Sequence, residues 1–181
     1  MVTTIARPKP DEYPPFFAGY IATIANEPDG LSALQAQQPL IAALGRLEPT
    51  AASHRYAEGK WTVREVIGHM TDAERIFSYR LLRIARADRT PLPAFDENVY
   101  AQVSNADRRE VSDLAQEMAA VRQASVALVQ SLDDAMLANW GTVRAGEVTA
   151  RAQVFIISGH FAHHAKLLKE RYGVDLQEKG V

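Results

Sequence analysis

The chain contains no cysteine. Disulfides, thiolate metal sites and a cysteine nucleophile are therefore excluded together. It also lacks any block of like charge: 20 basic residues stand against 22 acidic ones, for a formal net charge of -2. A nucleic-acid-binding domain usually carries a basic face, so no nucleic-acid partner is expected. No apolar run approaches the length needed to span a bilayer. The opening MVTTIARPKPDEYPPFF has no apolar signal-peptide core and is interrupted by prolines. These absences lead to the expectation of a cytoplasmic protein without a membrane partner. Glycine patterns of the Rossmann or P-loop type are missing as well, which argues against a nucleotide cofactor. Alternating segments of strand length, internal repeats and low-complexity stretches are likewise absent.

What remains is helical. With 181 residues and 47% hydrophobic content, the chain suits one domain over residues 1–181, with residues 1–12 as a loose N-terminal arm holding Pro8 and Pro10. Tyr13–Ile24 reads as a short extra helix, its two prolines falling in the first turn. Leu31–Leu47 has helical spacing, and Pro39 bends or restarts it. Thr62 and Glu65 form a capping box, and Trp61 with Val66 fits the hydrophobic staple. They start a helix running to about Arg86 with Val66, Met70, Ala73, Phe77, Leu81 and Ile84 as its buried stripe. A long connection, Ala87–Ala106, contains the run PAFDENVY; loops of this length are usually functional or carry short structure. Glu110–Leu132 is a further amphipathic helix. Asn139–Val148 reads as a turn with short extended pieces, and Thr149 caps a last helix that Gly173 ends. The fold expected is an all-α four-helix bundle with a short N-terminal helix and a long connection between its second and third long helices.

The chemistry concentrates in the last helix, within ISGHFAHHAKLL. Residues four apart on a helix lie about 40° apart around the axis and about 6 Å along it, so His160 and His164 can aim two imidazoles at one point. The alternative is a pair of core histidines satisfied by their neighbours. His163 turns about 60° the other way, towards Lys166 and Glu170, whereas His164 points into the stripe of Ile157, Phe161 and Leu168. A further histidine, His69, sits on the flank of the stripe of the helix capped by Thr62.

KWTVREVIGHMTDAERIF, RLLRIARADRTPLPAFDENVY and GHFAHH, in this order and spacing, resemble the DinB-like (YfiT-like) family of four-helix-bundle metalloenzymes. The resemblance covers most of residues 55–172. By position it implies that His69, His160 and His164 are metal ligands, for zinc or nickel. It also implies a homodimer, and an activity such as thiol-dependent S-transfer in stress or detoxification. Three neutral imidazoles leave a fourth coordination position for water or a substrate atom, and nitrogen-only ligation suits zinc, nickel or copper rather than calcium or magnesium. A small-molecule substrate, with a low-molecular-weight thiol as its partner, follows from that implication; a chain without cysteine is compatible with sulfur arriving on a co-substrate. Asp72, one turn after His69, is the candidate catalytic residue, as base or as orienter of an imidazole; the alternative is a solvated acid. Asp96 and Glu97 either line the mouth of the site or cap a loop. Arg144 and Arg151 are candidates for an anionic substrate, and Arg80, Arg83, Arg86 and Arg89 form a basic strip that reads as a solvated face. A metal-containing bundle that binds a ligand without turnover, or a structural dimer, is the competing reading.

Overall fold

A computed structural model describes residues 4–177. Nine α-helices and a two-stranded sheet are found among them. In order they are α1 (Ala18–Thr23), α2 (Gly30–Ala36), α3 (Gln38–Leu44), α4 (Pro49–Ala52), α5 (Val63–Ala85), α6 (Glu97–Val103), α7 (Val111–Gln130) and α8 (Asp134–Leu137), then β1 (Trp140–Val143), β2 (Gly146–Thr149) and α9 (Ala150–Tyr172). No helix among the described residues is long and apolar enough to cross a membrane.

The bundle consists of the α2–α3 pair, α5, α7 and α9. Helix α5 packs against α7 and α9, while α2 packs against both of those and α3 against α7. The pairs consecutive in sequence, α2–α3 with α5 and α7 with α9, thus lie across the bundle diagonals. An up-and-down bundle would make them neighbours. Such diagonal steps need long connections, which residues 45–62 supply between α3 and α5, and α8 with the β1–β2 hairpin supplies between α7 and α9.

The capping signals act as expected. Thr62 Oγ1 accepts from Glu65 N–H at 3.1 Å, and the Glu65 carboxylate accepts from Thr62 N–H at 2.8 Å. Thr149 Oγ1 accepts from Ala152 N–H, and Gly173 closes α9 in the left-handed region. The expected Leu31–Leu47 helix is broken at Gln37, because Pro39 at the second position of α3 has no N–H to continue the ladder. The break is put to use. Gln37 Nε2 donates to Ser158 O at 2.8 Å, and its Oε1 accepts from Arg122 Nη1 at 2.7 Å. Arg122, 0% exposed, also makes a two-bonded ion pair with Glu74 and donates to Leu34 O. Its guanidinium lies 5.1 Å from the Phe161 ring centre. One buried cation therefore ties together all four legs of the bundle, and fixes α9 just before and just after His160.

The N-terminal segment differs from the expected loose arm. Met1–Thr3 lie outside the described residues, but Ile5 is buried and its N–H donates to Asp29 at 2.6 Å. Arg7 donates to the carbonyls of Ile21 and Ile24 at the end of α1. Helix α1 itself lies along α9. Gly159 makes this approach possible: a Cβ there would stand 2.3 Å from Tyr20 O. The β1–β2 hairpin turns through Arg144 and Ala145 and seats against α5, where a Cβ at Gly141 would meet Ile84 at 2.5 Å.

Candidate metal centre

Helices α5 and α9 bring His69, His160 and His164 together in the interior. All three are buried, and their donor nitrogens lie within 4.8 Å of one another. His69 Nε2 stands 3.2 Å from His160 Nε2 and 3.2 Å from His164 Nε2. An imidazole nitrogen has one in-plane lone pair or one N–H, never both. His69 Nε2 can therefore satisfy one of its two neighbours by hydrogen bonding, but not both. A single cation at the focus satisfies all three lone pairs at once. For metal–nitrogen bonds of about 2.0–2.1 Å in tetrahedral array, ligand nitrogens stand about 3.3–3.4 Å apart; the 3.2 Å separations are close to this. The residues present fit a divalent transition metal.

Electrostatics agree with that use. Desolvation pushes His69 down to about 4, opposed by the charge of Glu97 and assisted by His163. His160 is lowered well below the ordinary histidine range, first by burial and then by His164, His69 and His163. His164 is lowered in the same way by burial, His69 and His163. Neutral imidazoles are the ligating form. His164 Nδ1 is buried without a hydrogen-bond partner, so that ring is oriented by packing rather than by an outer acceptor.

The three histidines open onto a cavity of about 630 Å³. The wall is largely aromatic: Phe16, Phe17 and Tyr20 from the N-terminal segment, Trp61 and Phe77 at the two ends of the His69 flank, and Phe95 from the long connection. Trp61 packs against His69 at a tilt, with ring centres 4.8 Å apart, and Phe77 meets His160 edge-on at 5.2 Å. Trp61 thus has a place beside a ligand candidate in addition to the staple expected of it. The polar part of the wall comprises Arg80, Glu97, Arg144 and His163. His163 is half-buried, packs edge-on against Tyr20 at 5.3 Å and stands outside the three-nitrogen cluster, as the helix phase predicts. Asp96 caps α6 by accepting from Asn98 and Val99 N–H, which leaves Glu97 facing the cavity. Asp72 is turned to Arg75 at 3.4 Å and is not part of the cavity wall; burial raises its pKa, against the pull of Arg75. Arg151 reaches Glu12 instead.

The DinB superfamily profile matches residues 33–168. The chain belongs to the DinB superfamily. Among solved structures it is similar to YfiT from Bacillus subtilis, described as a probable metal-dependent hydrolase with an unusual four-helix bundle topology. The TM-score is 0.65 at 19% identity, over 92% of this chain and 93% of that one. No curated protein matches. The shared fold is a four-helix bundle, and DinB membership agrees with the resemblance carried by the histidine segments.

Sequence reasoning did not find Arg80, Tyr20, Phe77 or Phe95 as site residues. Arg80 had a usable signal: it follows Phe77 by three positions and precedes Ile84 by four, on the edge of the buried stripe. Tyr20 and Phe95 lie on short or irregular segments whose docking no periodicity encodes.

Proposed function

We propose that the protein is a metal-dependent enzyme that activates a nucleophile at the three-histidine centre. The nucleophile is a small thiol co-substrate or water. The observation that carries this reading is the convergence of three buried imidazole nitrogens on the wall of a large aromatic cavity. A divalent transition metal, zinc or nickel, held by His69, His160 and His164 supplies Lewis acidity, which brings deprotonation of water or a thiol towards neutral pH. The chain's own residues do the rest. Glu97, on the cavity wall and close enough for its charge to act on His69 and Tyr20, accepts the proton. Asp72, committed to Arg75, is the less suitable base. Trp61, Phe77 and Phe95 keep bulk water from the reacting groups, so that charges within the site act more strongly. The cavity volume supports a thiol and a second reactant bound together, which favours S-transfer; the description of YfiT supports water instead. A homodimer belongs to the same proposal, supported by the solvent-facing Phe16, Val99 and Val103.

The test is turnover by zinc- and nickel-loaded protein with small thiols and 1-chloro-2,4-dinitrobenzene, and in parallel with p-nitrophenyl esters. Glu97→Gln should lower the rate by about a hundredfold while metal content stays constant. Rates no higher than those of free metal in both series would contradict catalysis and leave a ligand-binding bundle.

A further inference from the structure

Arg80 is 6% exposed, yet no carboxylate lies within ion-pair reach of it among the described residues. Its one hydrogen bond there runs from Nη2 to Pro93 O at 2.9 Å. The guanidinium lies against two aromatic rings, 5.7 Å from the centre of Phe77 and 5.9 Å from that of Phe95. An arginine keeps its charge even when buried, so this is a fixed cation in a poorly solvated place. Of the two other buried arginines, Arg64 donates to Ser53 Oγ and lies away from the cavity, and Arg122 makes the contrast plain. Arg122 has a carboxylate, a carbonyl and an amide oxygen around it. Arg80 has one carbonyl and two ring faces, and it borders the cavity.

The partner it lacks is not supplied by the protein. Glu97 borders the same cavity, but it makes no ion pair with Arg80, and its charge acts on His69 and Tyr20. Arg144, at the hairpin turn, is exposed and brings a second positive charge to the mouth. The interior cation and the histidine cluster share a wall. Phe77 touches Arg80 on one side and the His160 ring on the other, at 5.7 and 5.2 Å, so guanidinium and imidazole are at most about 11 Å apart.

We propose that Arg80 is the anchor for the carboxylate of a small substrate whose apolar or aromatic body lies along Phe77 and Phe95 and whose reacting end is at the histidine cluster. A single planar guanidinium matches a singly charged, planar carboxylate through paired N–H···O bonds. A doubly charged phosphate would call for a second interior cation, and Arg144 stands at the mouth instead. This assignment rests on the metal-centre reading for the position of the reacting end, but not for the anion site itself. The anchor turns binding energy from a remote group into orientation of the reacting one.

Two probes of equal length test it by calorimetry: 6-mercaptohexanoate and 6-mercaptohexan-1-ol, each titrated into zinc-loaded and EDTA-treated protein. Zinc-loaded wild type should bind the acid at least tenfold more tightly than the alcohol. Arg80→Gln should bring that ratio close to one and leave affinity for the alcohol unchanged. Arg80→Lys should keep part of the preference, and Arg144→Ala most of it. Equal affinity for the two probes in wild type overturns the proposal without recourse to any variant. So does a preference that survives Arg80→Gln, or one that disappears in Arg144→Ala alone. Removal of zinc reads a separate question: it should weaken both probes together. If zinc has no effect on either, the metal-centre reading fails, while the acid-to-alcohol ratio still decides the role of Arg80.

Discussion

Replacing Glu74 by alanine removes the carboxylate from a cation that has no access to water. Arg122 is 0% exposed and Glu74 2%, and the pair is joined by two bonds of 2.8 Å. After the change, Leu34 O, Gln37 Oε1 and the face of Phe161 still surround the guanidinium, but none carries a countercharge. Breaking a buried pair in this way costs about 3–5 kcal/mol. Against a total stability of about 5–15 kcal/mol, that is roughly a fifth or more of what holds the fold together. The melting temperature of a domain this size should fall by roughly 10 °C. Urea unfolding followed by far-ultraviolet circular dichroism measures the loss, with an unchanged slope showing that the same surface is exposed. The double variant Glu74→Leu/Arg122→Met, which removes both charges, should recover most of it. Because Gln37 also holds Ser158 O, two residues before His160, Glu74→Ala should weaken metal affinity as well. A stability within about 1 kcal/mol of wild type would refute the argument, since an unpaired cation in a dry interior cannot be that cheap.

Gly159→Ala forces Tyr20 away from α9, and should lower stability by about 1–3 kcal/mol and change the near-ultraviolet signal of tyrosine; an unchanged spectrum would contradict the close approach. Metal-free protein should lose stability as pH falls from about 6.5 towards 4, because the unfolded chain binds protons there that buried neutral His69 does not. The His69 share is about 3 kcal/mol, His160 and His164 act in the same direction, and a His69→Gln variant should show a shallower slope in urea melts across that range. His164→Ala should lose most metal affinity and His163→Ala should keep it, as elemental analysis of both variants will show; the reverse result would mean that the face of α9 is misassigned.

The helices were legible because their signals are local. Thr62 with Glu65, Thr149, Gly173 and Pro39 each act within one turn of their own position, and each does in the structure what its chemistry requires. The placement of His164, and not His163, beside His160 and His69 was legible too, since one helical wheel separates the two. The order of helices around the bundle was not, because it depends on which buried faces fit together and not on any segment alone. Arg80 was misread for a related reason. It was grouped with Arg83, Arg86 and Arg89 by spacing along the chain, whereas around the helix it lies only about 40° from Ile84. Arg83 does face outward, paired with Asp88. The cavity itself is assembled from Tyr20, Phe95 and the Arg144 turn, three segments brought together only by tertiary packing.

The central claim is that His69, His160 and His164 form one metal site. Elemental analysis of protein purified without a histidine tag tests it most directly. The account predicts close to one zinc or nickel per chain, released by acid and abolished in His69→Ala. Protein that is free of metal as purified and takes up neither zinc nor nickel on reconstitution would contradict it.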